Sequence, residues 1–370
     1  MQKSVKTKGN GGPGFLSEHA IVLALLIFWG VLILTNPAFQ QFSNFSAIIK
    51  EASMYAVCAI GMTFAIISGD MDLSVASQIA LSSVVFTAIV NKITPQSPGL
   101  GIVLSCLIIL ALGTLMGLVN GLLIARLKIP AFIATLAMQN VYRGLAQLVN
   151  DSPVAIATMG KDYLVFSTGS RDGLRIVTEG GFELISVRGF GFTRILGLPL
   201  FFYIMLALAV IGTIILRKTK LGRDILAIGN SRPAARIAGV NNSRTQVKIF
   251  ALLGFFTAVT ALMLTANQGS SNYGVPDGTE FTVISAAVLG GTALVGGKGS
   301  IFNTIIAMLF ITTISTAMTS FGVSNNLYGI FRGVILVVAF SLNTFSVWFN
   351  VFKVKHDARK AEKVRKKEAA

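Results

Sequence analysis

Asp70 and Asp72 stand two residues apart in AIISGDMDLSVAS (65–77), between the apolar runs AVCAIGMTFAII and IALSSVVFTAIV. A charge in hydrocarbon costs about 2.5–3.5 kcal/mol even on the gentlest insertion scale, so two carboxylates there need a reason. One reading makes them the proton or cation relay of an ion-gradient-driven secondary carrier. A relay uses ionisable groups spaced across the bilayer, whereas these two lie at one level. The plainer reading places both in a tight, water-accessible turn at a helix boundary. Asp72-Leu73-Ser74 then starts the next helix, with the Asp72 side chain accepting from backbone N–H groups two or three residues on.

A second stretch, GGTALVGGKGS (290–300), invites comparison with a phosphate-cradling loop. That device requires G-x-x-x-x-G-K-[ST] after a strand. Counting back from Gly297-Lys298 puts Thr292 where the first glycine belongs, and Gly299 replaces the metal-binding hydroxyl. The pattern fails, and no nucleotide site is expected in this chain. Its glycines suit close helix approach and turning at an interface. Histidine occurs only at His19 and His356, and cysteine only at Cys58 and Cys106, inside apolar runs. Neither a metal cluster, a histidine-dependent triad nor a disulfide framework follows from such a set, so a membrane enzyme is disfavoured.

The elements that must hold these residues are membrane helices. The chain of 370 residues is 53% hydrophobic and 12% charged, with a mean hydropathy of +0.73; soluble domains carry about 25% charged residues. Apolar segments at 20–35, 52–68, 75–91, 101–125, 131–149, 199–216, 247–266, 281–294, 301–320 and 328–349 predict a polytopic all-α bundle of about ten spans. The eighth is short and flanked by glycine, so it reads as broken or re-entrant. The basic N-terminus precedes IVLALLIFWGVLIL and then TNPAF, which offers no small-x-small cleavage site; it reads as a retained first span.

The net charge of +16 is concentrated: 19 of the 31 Lys/Arg lie in residues 1–8, 217–248 and 353–367. These runs flank apolar spans, so the positive-inside rule accounts for them better than nucleic-acid binding does. Both termini then lie in the cytoplasm, an even number of crossings follows, and the basic loops 126–130 and 217–246 fall inside. The loop 150–198, with five Lys/Arg and five Asp/Glu, falls outside. The domain division is a tail at 1–19, a transmembrane body at 20–350 and a basic tail at 351–370 that meets anionic lipid. A faint internal similarity links IISGDMDLSVAS with AVLGGTALVGGKGS: each has an apolar helix end, a glycine and a leucine four residues later. Transporters often place their pathways at such paired interrupted segments. In the inside loop, Pro233 suits a first helical turn and Gly239 a stop, which predicts a short basic helix outside the membrane.

Three motifs carry a resemblance to a known family. GMTFAIISGDMDLSVAS resembles the pattern GMT-apolar-SGGIDLSVGS, LGRDILAIGNSRPAARIAGV resembles GRxIYAxGGNxxAARLSGI, and AAVLGGTALVGGKGSIFNTIIA resembles VLGGTSLxGGKGSIxGTxxG. All belong to the permease subunits of ATP-binding-cassette (ABC) sugar importers of the ribose/galactose/xylose type. The resemblance implies a ten-span fold of the cobalamin-importer (type II) kind in the bacterial inner membrane. It also implies a second permease copy or paralogue, ABC ATPase subunits that bind ATP and Mg, and an extracytoplasmic sugar-binding protein. This chain would carry no cofactor. The short inside helix becomes the coupling helix, with Arg232, Ala234, Ala235, Arg236 and Gly239 engaging the ATPase. A neutral sugar needs hydroxyl and amide partners, so Ser82, Asn120, Gln139 and Asn140 are pathway candidates. Three departures stand out: Asp70 replaces a glycine, Pro233 precedes the Ala-Ala pair, and the 150–198 loop is long.

Overall fold

The computed structural model of the protein describes residues 20–93, 98–156, 194–274 and 278–323, together with single positions between 327 and 337. The two tails, most of the 150–198 loop and nearly all of the tenth expected span lie outside the described residues.

Eleven α-helices run along the described chain: α1 (Ala20–Thr35), α2 (Phe42–Ile67), α3 (Val75–Ile93), α4 (Pro98–Ala125), α5 (Ala131–Val149), α6 (Leu200–Lys218), α7 (Lys220–Asn230), α8 (Arg232–Ile237), α9 (Asn242–Gln268), α10 (Thr279–Leu289) and α11 (Ile301–Ser320). Six of them are long and apolar enough to cross a membrane, namely α2, α3, α4, α6, α9 and α11. The apolar helices α1 and α10 are shorter. α5 has 19 residues but a mixed composition, with Gln139, Asn140, Arg143 and Gln147 along it. One element differs from the sequence expectation: the second span begins at Phe42 rather than 52, because the helix continues through the more polar FSNFSAIIKE beyond its apolar window. The eighth is short, as expected, at 11 residues, about 16 Å at 1.5 Å per residue, which is half a bilayer.

α2 is the axis of the bundle. Nearly every residue from Ala52 to Ile67 is buried, and α9, α11, α10 and α6 pack around it. The α4–α9 seam is set by glycine. Gly113, Gly117 and Gly121 recur every four residues on α4 and face Phe250, Gly254 and Ala258 of α9. A methyl group on Gly117 would lie 2.1 Å from the Phe250 carbonyl oxygen, so the two backbones touch. Trp29 of α1 donates to Thr313 of α11 at 2.9 Å and fastens the first helix to the eleventh. α5 buries one stripe, Ala134, Thr135, Tyr142 and Ala146, against α3 and α4. Its opposite side, including Ile133, Leu136, Asn140 and Val141, is exposed.

Two small antiparallel pairs close one end of the bundle: β1 (Val154–Ala155) with β4 (Ser270–Ser271), and β2 (Arg194–Ile195) with β3 (Leu198–Pro199). The turns at 68–74, 126–130, 219–241 and 290–300 all lie at the other end, since the helices alternate in direction between them.

Candidate functional site

The loop between α6 and α9 folds as two short helices rather than one. Thr219 caps α7 by accepting from the Gly222 N–H, and α7 buries Gly222, Ile225 and Ile228 on one side. Ser231 caps α8 by accepting from the Ala234 N–H, and Pro233 occupies its first turn. α8 ends in a six-to-one closure: the Val240 N–H donates to the Ala235 carbonyl at 2.9 Å and Gly239 adopts φ +83°, a conformation glycine takes without Cβ strain. The helix presents Ala234, Arg236 and Gly239 outward, and Ile237 is 89% exposed. Ala235 points the other way and is buried within the chain.

This loop meets both glycine-containing turns. The Gly297 N–H donates to the Ile67 carbonyl at 2.8 Å. A methyl group on Gly229 would strike Ile67 O and Gly297 N, and one on Gly296 would reach Gly229. The three motifs, far apart in sequence, therefore pack backbone to backbone at one point. The paired turns also share a geometry. After α2, the Asp70 N–H bonds to Ala65 O and the Gly69 N–H to Ile66 O; after α10, the Thr292 N–H bonds to Ala287 O and the Gly291 N–H to Val288 O. Gly69 and Gly291 both have positive φ, +82° and +86°. The structural match pairs Gly69 with Gly291, one residue later than the sequence similarity suggested.

The two aspartates have different surroundings. Asp72 is fully buried rather than at a water-accessible edge. Its Oδ1 accepts from the Ser74 N–H (2.7 Å) and the Ser74 hydroxyl (2.6 Å), and its Oδ2 accepts from Gln78 Nε2 (3.1 Å) and Asn120 Nδ2 (3.0 Å). Ser74 Oγ accepts in turn from the same two amides, and the Tyr142 hydroxyl reaches Asn120 Oδ1 at 3.0 Å. Burial pushes the Asp72 carboxyl up from its usual range, and the bonds from Ser74, Asn120 and Gln78 pull it back. Asp70 faces the α7–α8 loop. Its Oδ1 lies 2.7 Å from Arg232 Nη2, and its Oδ2 accepts from Gln246 Nε2 of α9 at 2.9 Å. Arg232 thus pairs inside the chain. One carboxylate is ion-paired and the other is ringed by donors, a poor arrangement for a proton relay.

The four expected pathway residues occupy unlike places. Asn120 is a buried strut between Asp72 and Tyr142. Ser82 is buried in α3, and its hydroxyl has no partner among the described residues. Asn140 lies on the exposed side of α5, bonded to Leu136 O. Gln139 Nε2 sits 3.4 Å from Glu280 Oε1. Glu280, 3% exposed in the first turn of α10, escaped the sequence reading although an acid opening an apolar run (TEFTVISAAV) was there to be seen. The helix N-terminus favours a negative group at that position. Close by, Arg143 donates to the Tyr273 carbonyl, so α5 and the entry to α10 form a polar patch between apolar walls.

Residues 44–340 match the family described as branched-chain amino acid transport system / permease component. The chain is 31% identical over 326 residues to the ribose import permease protein of Haemophilus influenzae, covering 88% of this chain and 92% of that protein. It is 34% identical over 343 residues to the L-arabinose transport system permease protein of Escherichia coli (91% and 95%). It is also 30% identical over 338 residues to the galactose/methyl galactoside import permease protein of Salmonella typhimurium (89% and 95%). No solved structure matches the chain. The chain is a multi-pass membrane protein that belongs to this family of transport-system permease components, among relatives that are the permeases of sugar importers.

Proposed function

We propose that this chain is the membrane-spanning permease subunit of an ABC importer for a simple sugar such as ribose, galactose, arabinose or xylose. ATP and Mg are handled by separate ATPase subunits, and an extracytoplasmic binding protein delivers the sugar. The observation that carries the reading is the convergence of the α7–α8 loop with the turns after α2 and α10 at one end of the bundle. α8 is capped at both ends, exposes Arg236 and Ile237, and touches through its base the turn that ends α2, while α7 beside it meets the turn after α10. Those are the requirements of a coupling element: a surface for a motor, and a stiff path from that surface to the membrane.

Related readings follow from the same frame. Ten crossings of the cobalamin-importer kind, with both termini and the basic loops in the cytoplasm of a bacterial inner membrane, agree with the charge distribution. The pathway runs along the uncovered side of α5, between this chain and a second permease. Asn140 faces it, and Gln139 with Glu280 flanks it. Uncharged amide groups suit sugar hydroxyls. The test is reconstitution of the complex in proteoliposomes with radiolabelled ribose, galactose and arabinose. ATP-dependent uptake of one of them, absent without the ATPase, supports the reading. Uptake by this chain alone under an ion gradient, abolished by Asp70→Asn, would replace it with a carrier.

A further inference from the structure

We propose that Asp70 is a positioning residue for energy coupling: its carboxylate is the joint that fastens coupling helix α8 to the end of the central helix α2. The inference rests on the importer reading above and adds the specific link through which motion passes.

The joint has three arms on one residue. Its backbone is fixed to α2, because the Asp70 N–H donates to Ala65 O at 3.0 Å inside the turn that Gly69 allows. Its Oδ1 holds Arg232, the first residue of α8, at 2.7 Å. Its Oδ2 holds Gln246 in the second turn of α9 at 2.9 Å. The base of α8 is also tied by backbone, since Asn242 Nδ2 donates to Arg232 O at 3.0 Å. Among the described residues the far end of α8 has no such tie to another helix, and Ile237 there is 89% exposed.

Burial says which arm matters. The Asp70 side chain is 6% exposed and that of Arg232 is 46% exposed. A carboxylate so far removed from water depends on its charged partner, whereas the guanidinium does not. A shift of α8 that drew Arg232 away would leave that carboxylate in contact only with Gln246. The turn and α2 are therefore pulled along rather than left behind. The joint forms one wall of a cleft of about 740 Å³ that also contains Lys128, Ser243 and Val295. That cleft borders the α8 base, and Lys128 is a second cation on its wall.

The test compares wild type, Asp70→Asn, Arg232→Gln and the double variant, each purified as the whole complex with ATPase and binding protein and placed in proteoliposomes. Sugar uptake and ATP hydrolysis are measured separately, with labelled ribose, galactose and arabinose. Each single variant is expected to keep its ATPase bound and hydrolysing ATP while moving about fivefold fewer sugars per ATP, and the double variant to be no worse than the singles, as groups sharing one link behave. Unchanged sugar per ATP in Arg232→Gln, with the complex intact, would overturn the proposal. So would strictly additive losses. Arg232 is half exposed, so it decides the matter even where Asp70→Asn fails to fold. If wild type itself shows no ATP-driven uptake, the importer reading falls instead, and the two failures are distinct.

Discussion

Asp72 meets four hydrogen-bond donors, and a carboxylate, which only accepts, matches them all. An amide at that place turns one acceptor into a donor. Asp72→Asn is therefore expected to set an NH2 against Ser74 or against the amides of Gln78 and Asn120, costing about 1–3 kcal/mol as an unsatisfied buried group does. A lower melting temperature in detergent, with less folded protein recovered from the membrane, is the readout. A variant that melts with wild type would mean that the Ser74–Asn120–Tyr142 network holds without the charge. The two aspartates look equivalent in the sequence and are not. Their side chains leave the same turn in different directions, one into the α3–α4–α5 packing and one toward α8 and α9, and the distant partners of the two lie 48 to 176 residues away. Sequence spacing could suggest that Asp72 accepts from a nearby backbone N–H, because that contact is local. It could not find Arg232 for Asp70.

At the scale of elements, the α4–α9 seam is the clearest case of small residues placing helices. Gly113, Gly117 and Gly121 fall at four-residue spacing and let the backbones touch, the arrangement in which dispersion and close packing hold membrane helices together. Replacing a helical glycine by alanine gains up to about 1 kcal/mol of propensity where there is room. Gly30 has open space around it, and Gly30→Ala is expected to be neutral or slightly stabilising. Gly117→Ala would place its methyl 2.1 Å from a backbone oxygen, so it is expected to lose folded protein despite better propensity. Opposite shifts in thermal melting check the pair; equal shifts would contradict the seam. The repeated G-x-x-x-G spacing was visible in the sequence. The partner surface was not, because Phe250 and Gly254 carry no mark that assigns them to α4 rather than to lipid.

For the whole molecule, the question is how a chain without its own motor is moved. The described helices place every basic loop they include at one end, and α8 is the element there that projects furthest from contact with its own chain at Ile237. Burying an exposed isoleucine at an interface contributes roughly 1.5–3 kcal/mol, and a carboxylate in the same place also brings desolvation cost. Ile237→Glu is expected to reduce ATPase copurification at least about tenfold, since each 1.4 kcal/mol is a factor of ten, while leaving membrane insertion and melting of the permease unchanged. Equal recovery of ATPase with the variant would move the docking surface elsewhere on the molecule. The same reasoning expects no ATP turnover by the purified chain alone.

The sequence by itself determined that the protein is a helical membrane permease, which loops are basic, and where α8 starts and stops. Those features follow from local composition, from the length of an apolar run and from capping residues within a few positions of each other. It also carried the three motifs of the permease family, as words without a geometry. Only the tertiary structure decided that those motifs meet at one point, that Ala235 turns inward, that Arg232 pairs with Asp70, and that Asn120 bonds Asp72 and Tyr142. These outcomes depend on which surfaces face each other across tens to hundreds of residues of chain. Packing between helices fixes that, and no periodicity within a single helix encodes it.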